Sequence, residues 1–168
     1  MKGTAEASFE EVQYMRHVWW LLLLIAGVTV LSWWGFIQQI LLGKSWGSNP
    51  GPDWLIWLIW LIVGIGFPVI FFVMRLVVTV MDDHLTISFI PLTKRVIPLA
   101  DIQDVQARTY HALLEYGGWG IRGRSNRRAY NVSGNRGVEL TLYDGRIVMI
   151  GSQKAERLAL AIESNLSR

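Results

Sequence analysis

Two stretches without an ionisable side chain constrain this chain more than anything else in it. The first runs from Val18 to Ile37 and is prolonged by Gln38 to Leu42, and the second runs from Trp54 to Met74. About 20 residues at 1.5 Å each match the ~30 Å hydrocarbon core of a bilayer, so both stretches are long enough to span it. The second holds fourteen Leu, Ile, Val or Phe residues. At about −0.3 to −0.6 kcal/mol apiece near a helix centre, these outweigh the cost of Gly64, Gly66 and Pro68. Core helices of a small soluble domain would carry a polar face, and neither stretch has one. A cleaved signal peptide fits poorly, because Glu6, Glu10 and Glu11 precede the first stretch and no small-residue cleavage pattern follows it.

Gly43 to Asp53, with Asn49-Pro50 and Gly51-Pro52, is short and turn-rich, so the two helices form an antiparallel hairpin. Lys2 and Arg16 precede it, Lys44 alone lies in the connection, and Arg75, Lys94 and Arg95 follow. That bias places both termini in the cytoplasm and the chain in a bacterial inner membrane as a multi-pass protein. Trp rows mark the interfaces: Trp19 and Trp20 at the inner one, and Trp33, Trp34, Trp46, Trp54, Trp57 and Trp60 toward the outer one. Gly64, Gly66 and Pro68 fall within two turns and mark a kink or a helix-packing surface. Neither span holds an ionisable group, which argues against an ion or proton pathway within the hairpin.

Beyond Arg75 the period changes from helix to strand. Leu85, Ile87 and Phe89 alternate with polar residues, as do Val138, Leu140 and Leu142. Asp144-Gly145 predicts a two-residue turn into Arg146–Ile150, and Asp82-Asp83 a turn between Leu76–Val80 and the Leu85 strand. Further strands are expected over Arg95–Ile97 and Val105–Tyr110. Ser152 can cap a final helix whose Ala155, Leu158, Ala159, Ile162 and Leu166 recur at helical spacing. The boundaries read as a leader over 1–16, a transmembrane hairpin over 17–75 with helices at about 18–42 and 54–75, and a β domain over 76–168.

Several residue groups carry a resemblance: Ile97-Pro98-Leu99-Ala100-Asp101-Ile102, Tyr116-Gly117-Gly118-Trp119-Gly120-Ile121-Arg122, Ala129-Tyr130-Asn131-Val132 and Gly134-Asn135-Arg136-Gly137. Set behind two apolar helices, they resemble bacterial membrane-anchored pleckstrin-homology-like (PH-like) domain proteins. The resemblance implies an α+β membrane protein: a two-helix transmembrane hairpin, then a PH-like antiparallel β-barrel capped by a C-terminal helix. It supplies no catalytic residues.

Gly118, Gly120 and Gly123 satisfy G-x-G-x-x-G literally, but no helix-forming pattern follows, so a dinucleotide site is not expected. From Tyr116 to Arg136 the chain reads as a long loop containing Arg122, Arg124, Arg127, Arg128 and Arg136 and no acidic residue. Guanidinium forks and glycine-rich backbone suit phosphate oxygens, so acidic headgroups or an acidic partner are the expected ligands. Trp119, Tyr130 and Asn131 are further binding candidates, although packing of the loop against the domain is the commoner use of such aromatics. The chain has no Cys and three His far apart in sequence, so no catalytic residue, metal site or cofactor is expected. The function these features imply is non-enzymatic: binding of a partner protein or anionic lipid by the domain. The competing reading is an accessory subunit of a larger membrane complex, docked through the hairpin. Membrane lipids and a protein partner or second copy are the expected associates, and nucleic acid is not.

Overall fold

The computed structural model describes residues 7–166 and divides into two compact units, one of residues 15–74 and the other of the segments on either side of it. The first unit is helical. Its α1 (Trp19–Leu41) and α2 (Asp53–Val73) are both long and apolar enough to cross a membrane. Only 17% of the most apolar window of each is buried, whereas the core helices of a soluble fold are mostly covered.

Aromatic packing holds α1 to α2. Phe36 stacks on Trp60 with centroids 4.4 Å apart, and Trp57 and Trp33 meet this pair edge-on. Residues Trp60–Gly66 of α2 are wound as π-helix, and there the Gly64 carbonyl accepts a 3.1 Å hydrogen bond from Trp33 Nε1. A Cβ on Gly64 would stand 3.1 Å from the Trp60 ring and 3.2 Å from Ser32 Oγ, so glycine permits the close approach. The other two expected packing positions differ. A Cβ on Gly66 would approach only the Leu61 carbonyl of its own helix. Pro68 lines an apolar groove with Leu22, Ala26 and Phe71. Gly35, not singled out from sequence, lies against the Trp46 ring, which leaves no room for a larger residue.

The second unit carries two sheets. β1 (Phe9–Tyr14), β2 (Arg75–Val80), β3 (His84–Ile90) and β4 (Thr93–Pro98) form an antiparallel meander. A 3₁₀ turn at Leu99–Asp101 then carries the chain away, so β4 does not pair with the next strand. β5 (Ile102–Thr109), β6 (Gly120–Arg124), β7 (Arg127–Asn131), β8 (Arg136–Leu142) and β9 (Ile147–Gly151) form a second sheet in the order β5-β8-β9-β7-β6. The expected closed antiparallel barrel is therefore corrected to two open sheets, the second of them mixed because β7 and β9 run parallel. Between β5 and β6 lies a short helix, α3 (Ala112–Tyr116), and α4 (Ala155–Leu166) ends the unit. Leu158 and Ile162 of α4 are fully buried, and α4 packs on β1, β2, β5 and β8, which bury Leu76, Val78, Val138 and Leu140.

The segment read as a leader supplies β1. It pairs with β2 from Phe9↔Val80 to Tyr14↔Arg75, so the entire helical unit is inserted between two paired strands. Glu11 and Gln13 are buried: Glu11 accepts from Ser152 Oγ and the Gln153 N–H, and Gln13 Nε2 donates to the Gly151 carbonyl at 2.8 Å. Ser152 Oγ accepts from the Lys154 N–H in the turn that precedes Ala155, so it orders the approach to α4 and does not take the capping position expected of it.

The Asp144-Gly145 turn also differs from expectation. Gly145 alone takes a positive φ, of 79°, and the Gly145 N–H donates to the Leu142 carbonyl. This is a three-residue turn closed by glycine, because Asp144 keeps a negative φ and its carboxylate accepts from the Arg146 N–H at 2.9 Å.

Candidate functional site

The Tyr116–Arg136 segment is not a long loop: most of it is the β6–β7 hairpin at the free edge of the second sheet. Its turn is Ser125-Asn126, and Gly123 faces the Arg127 carbonyl so closely that any Cβ would collide with it. Gly123 has a φ of 94°, a conformation that side chains resist, so glycine is needed there for space and for backbone. The three glycines of the G-x-G-x-x-G match bend this edge, and no helix opens from them.

The register sorts the arginines by face. Arg122 lies opposite Ala129 and Arg124 opposite Arg127, so these share one face, while Arg128 lies opposite Gly123 on the reverse. Arg127 is committed internally. Its guanidinium lies 3.5 Å from both Glu115 and Glu139 and 5.3 Å from the centre of the Tyr116 ring. Arg108 binds the same two carboxylates at 2.7 Å each. Two arginines and two glutamates thus neutralise one another and fasten α3 to the sheet. The Arg108 hydrogen bond holds the Glu115 carboxyl below its ordinary value, and hydrogen bonding to Glu115 raises the Arg108 guanidinium further. Arg136 is paired with Glu156.

Arg122, Arg124 and Arg128 remain exposed, without a carboxylate partner among the described residues. Arg122 Nε donates to the Trp119 carbonyl at 2.9 Å, which steadies the side chain and leaves its terminal nitrogens available. Trp119 is half-buried against Tyr116 and its neighbours, with Nε1 3.4 Å from the Gly134 carbonyl. Tyr130 and Asn131 are buried. Asn131 accepts from the Gly120 N–H at 2.9 Å and donates to Tyr110 Oη at 3.0 Å, tying the hairpin root to the sheet. Burial raises the Tyr110 phenol above its ordinary value.

Sequence reasoning missed α3. Its signal was the Tyr116-Gly117-Gly118 ending: Gly117, at φ 77°, donates to the Leu113 carbonyl and Gly118 to that of Ala112, the glycine-closed terminus of a helix. The turn leaves Leu113 62% and Leu114 86% exposed beside the arginine hairpin.

A family of unknown function, DUF6141, matches residues 2–168. The chain belongs to DUF6141. No curated protein and no solved structure matches this DUF6141 chain. Among its described residues no three His, Cys, Asp or Glu side chains gather as a metal cluster.

Proposed function

We propose that this protein is a non-enzymatic, two-span membrane protein whose β unit binds phosphate-bearing anions, lipid headgroups foremost, on the β6–β7 hairpin. The observation that carries the reading is the contrast among its arginines: Arg127 and Arg136 are neutralised, while Arg122, Arg124 and Arg128 stand exposed without an acidic partner. An edge hairpin presenting unpaired guanidinium forks suits phosphate oxygens.

The anchor is supported by the outward-facing apolar surface of α1 and α2 and by β1, which precedes α1 yet belongs to the same unit as everything after α2. A spanning hairpin therefore leaves both flanks on one side, and cleavage after α1 would strip a strand from the first sheet. The excess of Lys and Arg on those flanks favours the cytoplasmic side of a bacterial inner membrane. A meander, a second sheet and a terminal helix, in that order, are compatible with a PH-like arrangement whose barrel is open. Tethering raises the local concentration of headgroups, so modest contacts suffice.

The test is calorimetric. Full-length protein in zwitterionic nanodiscs is titrated with inositol hexakisphosphate as a polyphosphate probe. The Arg122→Gln/Arg124→Gln/Arg128→Gln variant should bind at least about tenfold more weakly, given about 1.5–3 kcal/mol for a hydrogen bond to a charged group. Equal affinity in the two proteins would refute the assignment.

A further inference from the structure

We propose that α3 and the adjoining face of β6 form an interfacial docking surface for an anionic bilayer, with Leu113 and Leu114 entering the headgroup region and Arg122 and Arg124 holding phosphates beside them. The inference rests on the reading of the hairpin as an anion-binding element and names its partner and its face.

Two adjacent leucines exposed by 62% and 86% on a five-residue helix are hard to account for as packing, since Ala112 and Tyr116 of the same turn already fill the contact with the sheet. The charge beside them is complementary to a lipid surface. Leu113 and the Arg122 guanidinium flank Gly118, 3.9 and 3.8 Å from where a Cβ would stand. Arg124 follows on the same face of the strand, and Arg108 and Arg127 there are already neutralised by Glu115 and Glu139. The surface is thus a greasy knuckle ringed by free positive charge, the composition of elements that lie in a membrane interface.

The knuckle is also rigidly mounted. Glu115 reaches back to the His111 N–H at 2.7 Å, Arg108 grips Glu115, and Gly117 and Gly118 close the turn, so Leu113 and Leu114 are held outward without loop entropy to lose on docking.

The chain has no cysteine, so Leu114→Cys places a single environment-sensitive fluorophore on the knuckle of the full-length protein. Reconstitution in vesicles with phosphatidylglycerol in both leaflets makes the direction of insertion immaterial. Emission should shift to the blue and lose quenching by a water-soluble quencher there, and not in phosphatidylcholine alone. Arg122→Gln/Arg124→Gln should lower the docked-to-free ratio about thirtyfold. Leu113→Ser should lower it about tenfold. A label at exposed Leu160→Cys, away from this surface, should report no change. A Leu114→Cys label equally quenched in both vesicle types, or a shift that survives the double arginine variant, overturns the docking surface. If those arginine variants nevertheless lose inositol hexakisphosphate, the hairpin binds soluble phosphate and only the docking surface falls. If they retain it, the underlying reading falls as well.

Discussion

Asn131 is fully buried, and each end of its amide has one partner, the Gly120 N–H and Tyr110 Oη. Truncation leaves both partners inside the fold unsatisfied, so Asn131→Ala should cost about 1–3 kcal/mol and lower the Tm of the protein in micelles. An unchanged Tm would mean that the hairpin root is held by other contacts. Glu115 offers a test by pH. Its folded pKa lies below the unfolded value of about 4.3, so its contribution is complete above that value and is lost as pH falls through the folded one. Glu115→Gln should therefore destabilise by about 0.5–1 kcal/mol at neutral pH, since the carboxylate is partly solvated, and should flatten the acid limb of the stability profile. A parallel, undiminished acid limb in the variant would assign that dependence to other carboxylates.

At the scale of elements, the β6–β7 hairpin depends strictly on Gly123, and the closing turn of α3 depends less strictly on Gly117. Gly123 needs both a positive φ and empty space, whereas Gly117 has a positive φ with open space where its Cβ would stand. Gly123→Ala should accelerate amide hydrogen exchange across residues 120–131 well beyond Gly117→Ala, which costs about 1 kcal/mol of strain alone. Equal effects would contradict the close approach to the Arg127 carbonyl. The same elements explain what could be read in the residues beforehand. β2, β3, β8 and α4 bury apolar side chains at the period of their structure, so alternation revealed them. β1 did not show itself because two of its three inward residues are Glu11 and Gln13: Glu11 accepts from Ser152 and Gln153, and Gln13 Nε2 donates to the Gly151 carbonyl while its Oε1 is buried without a partner among the described residues. The hairpin was hidden similarly: its strands are rich in Arg and Gly, and its buried members Ala129, Tyr130 and Asn131 are consecutive, so they carry no strand period. The exposure of Arg122, Arg124 and Arg128 depends on which carboxylates reach which arginine, and spacing along the chain does not encode that.

For the molecule as a whole, the arrangement of the chain is the strongest physical statement. Strands β1 and β2 pair along their length, and all 60 residues from Met15 to Met74 stand between them. The Met15 N–H donates to the Met74 carbonyl at 3.1 Å, so the helical unit begins and ends on adjacent residues. Under the proposed two-span reading, helices inserted in this way enter and leave the bilayer from the same face, with the Gly43–Pro52 connection on the other. The most direct measurement of that claim uses single cysteines at Glu10, Ser48 and Ser125 in the otherwise cysteine-free chain, labelled in intact cells by a membrane-impermeant thiol reagent before and after the membrane is opened. The account predicts that Ser48→Cys reacts in intact cells and that Glu10→Cys and Ser125→Cys react only once the membrane is opened. Reaction of Glu10→Cys and Ser125→Cys on opposite sides, or of all three on one side, would contradict it.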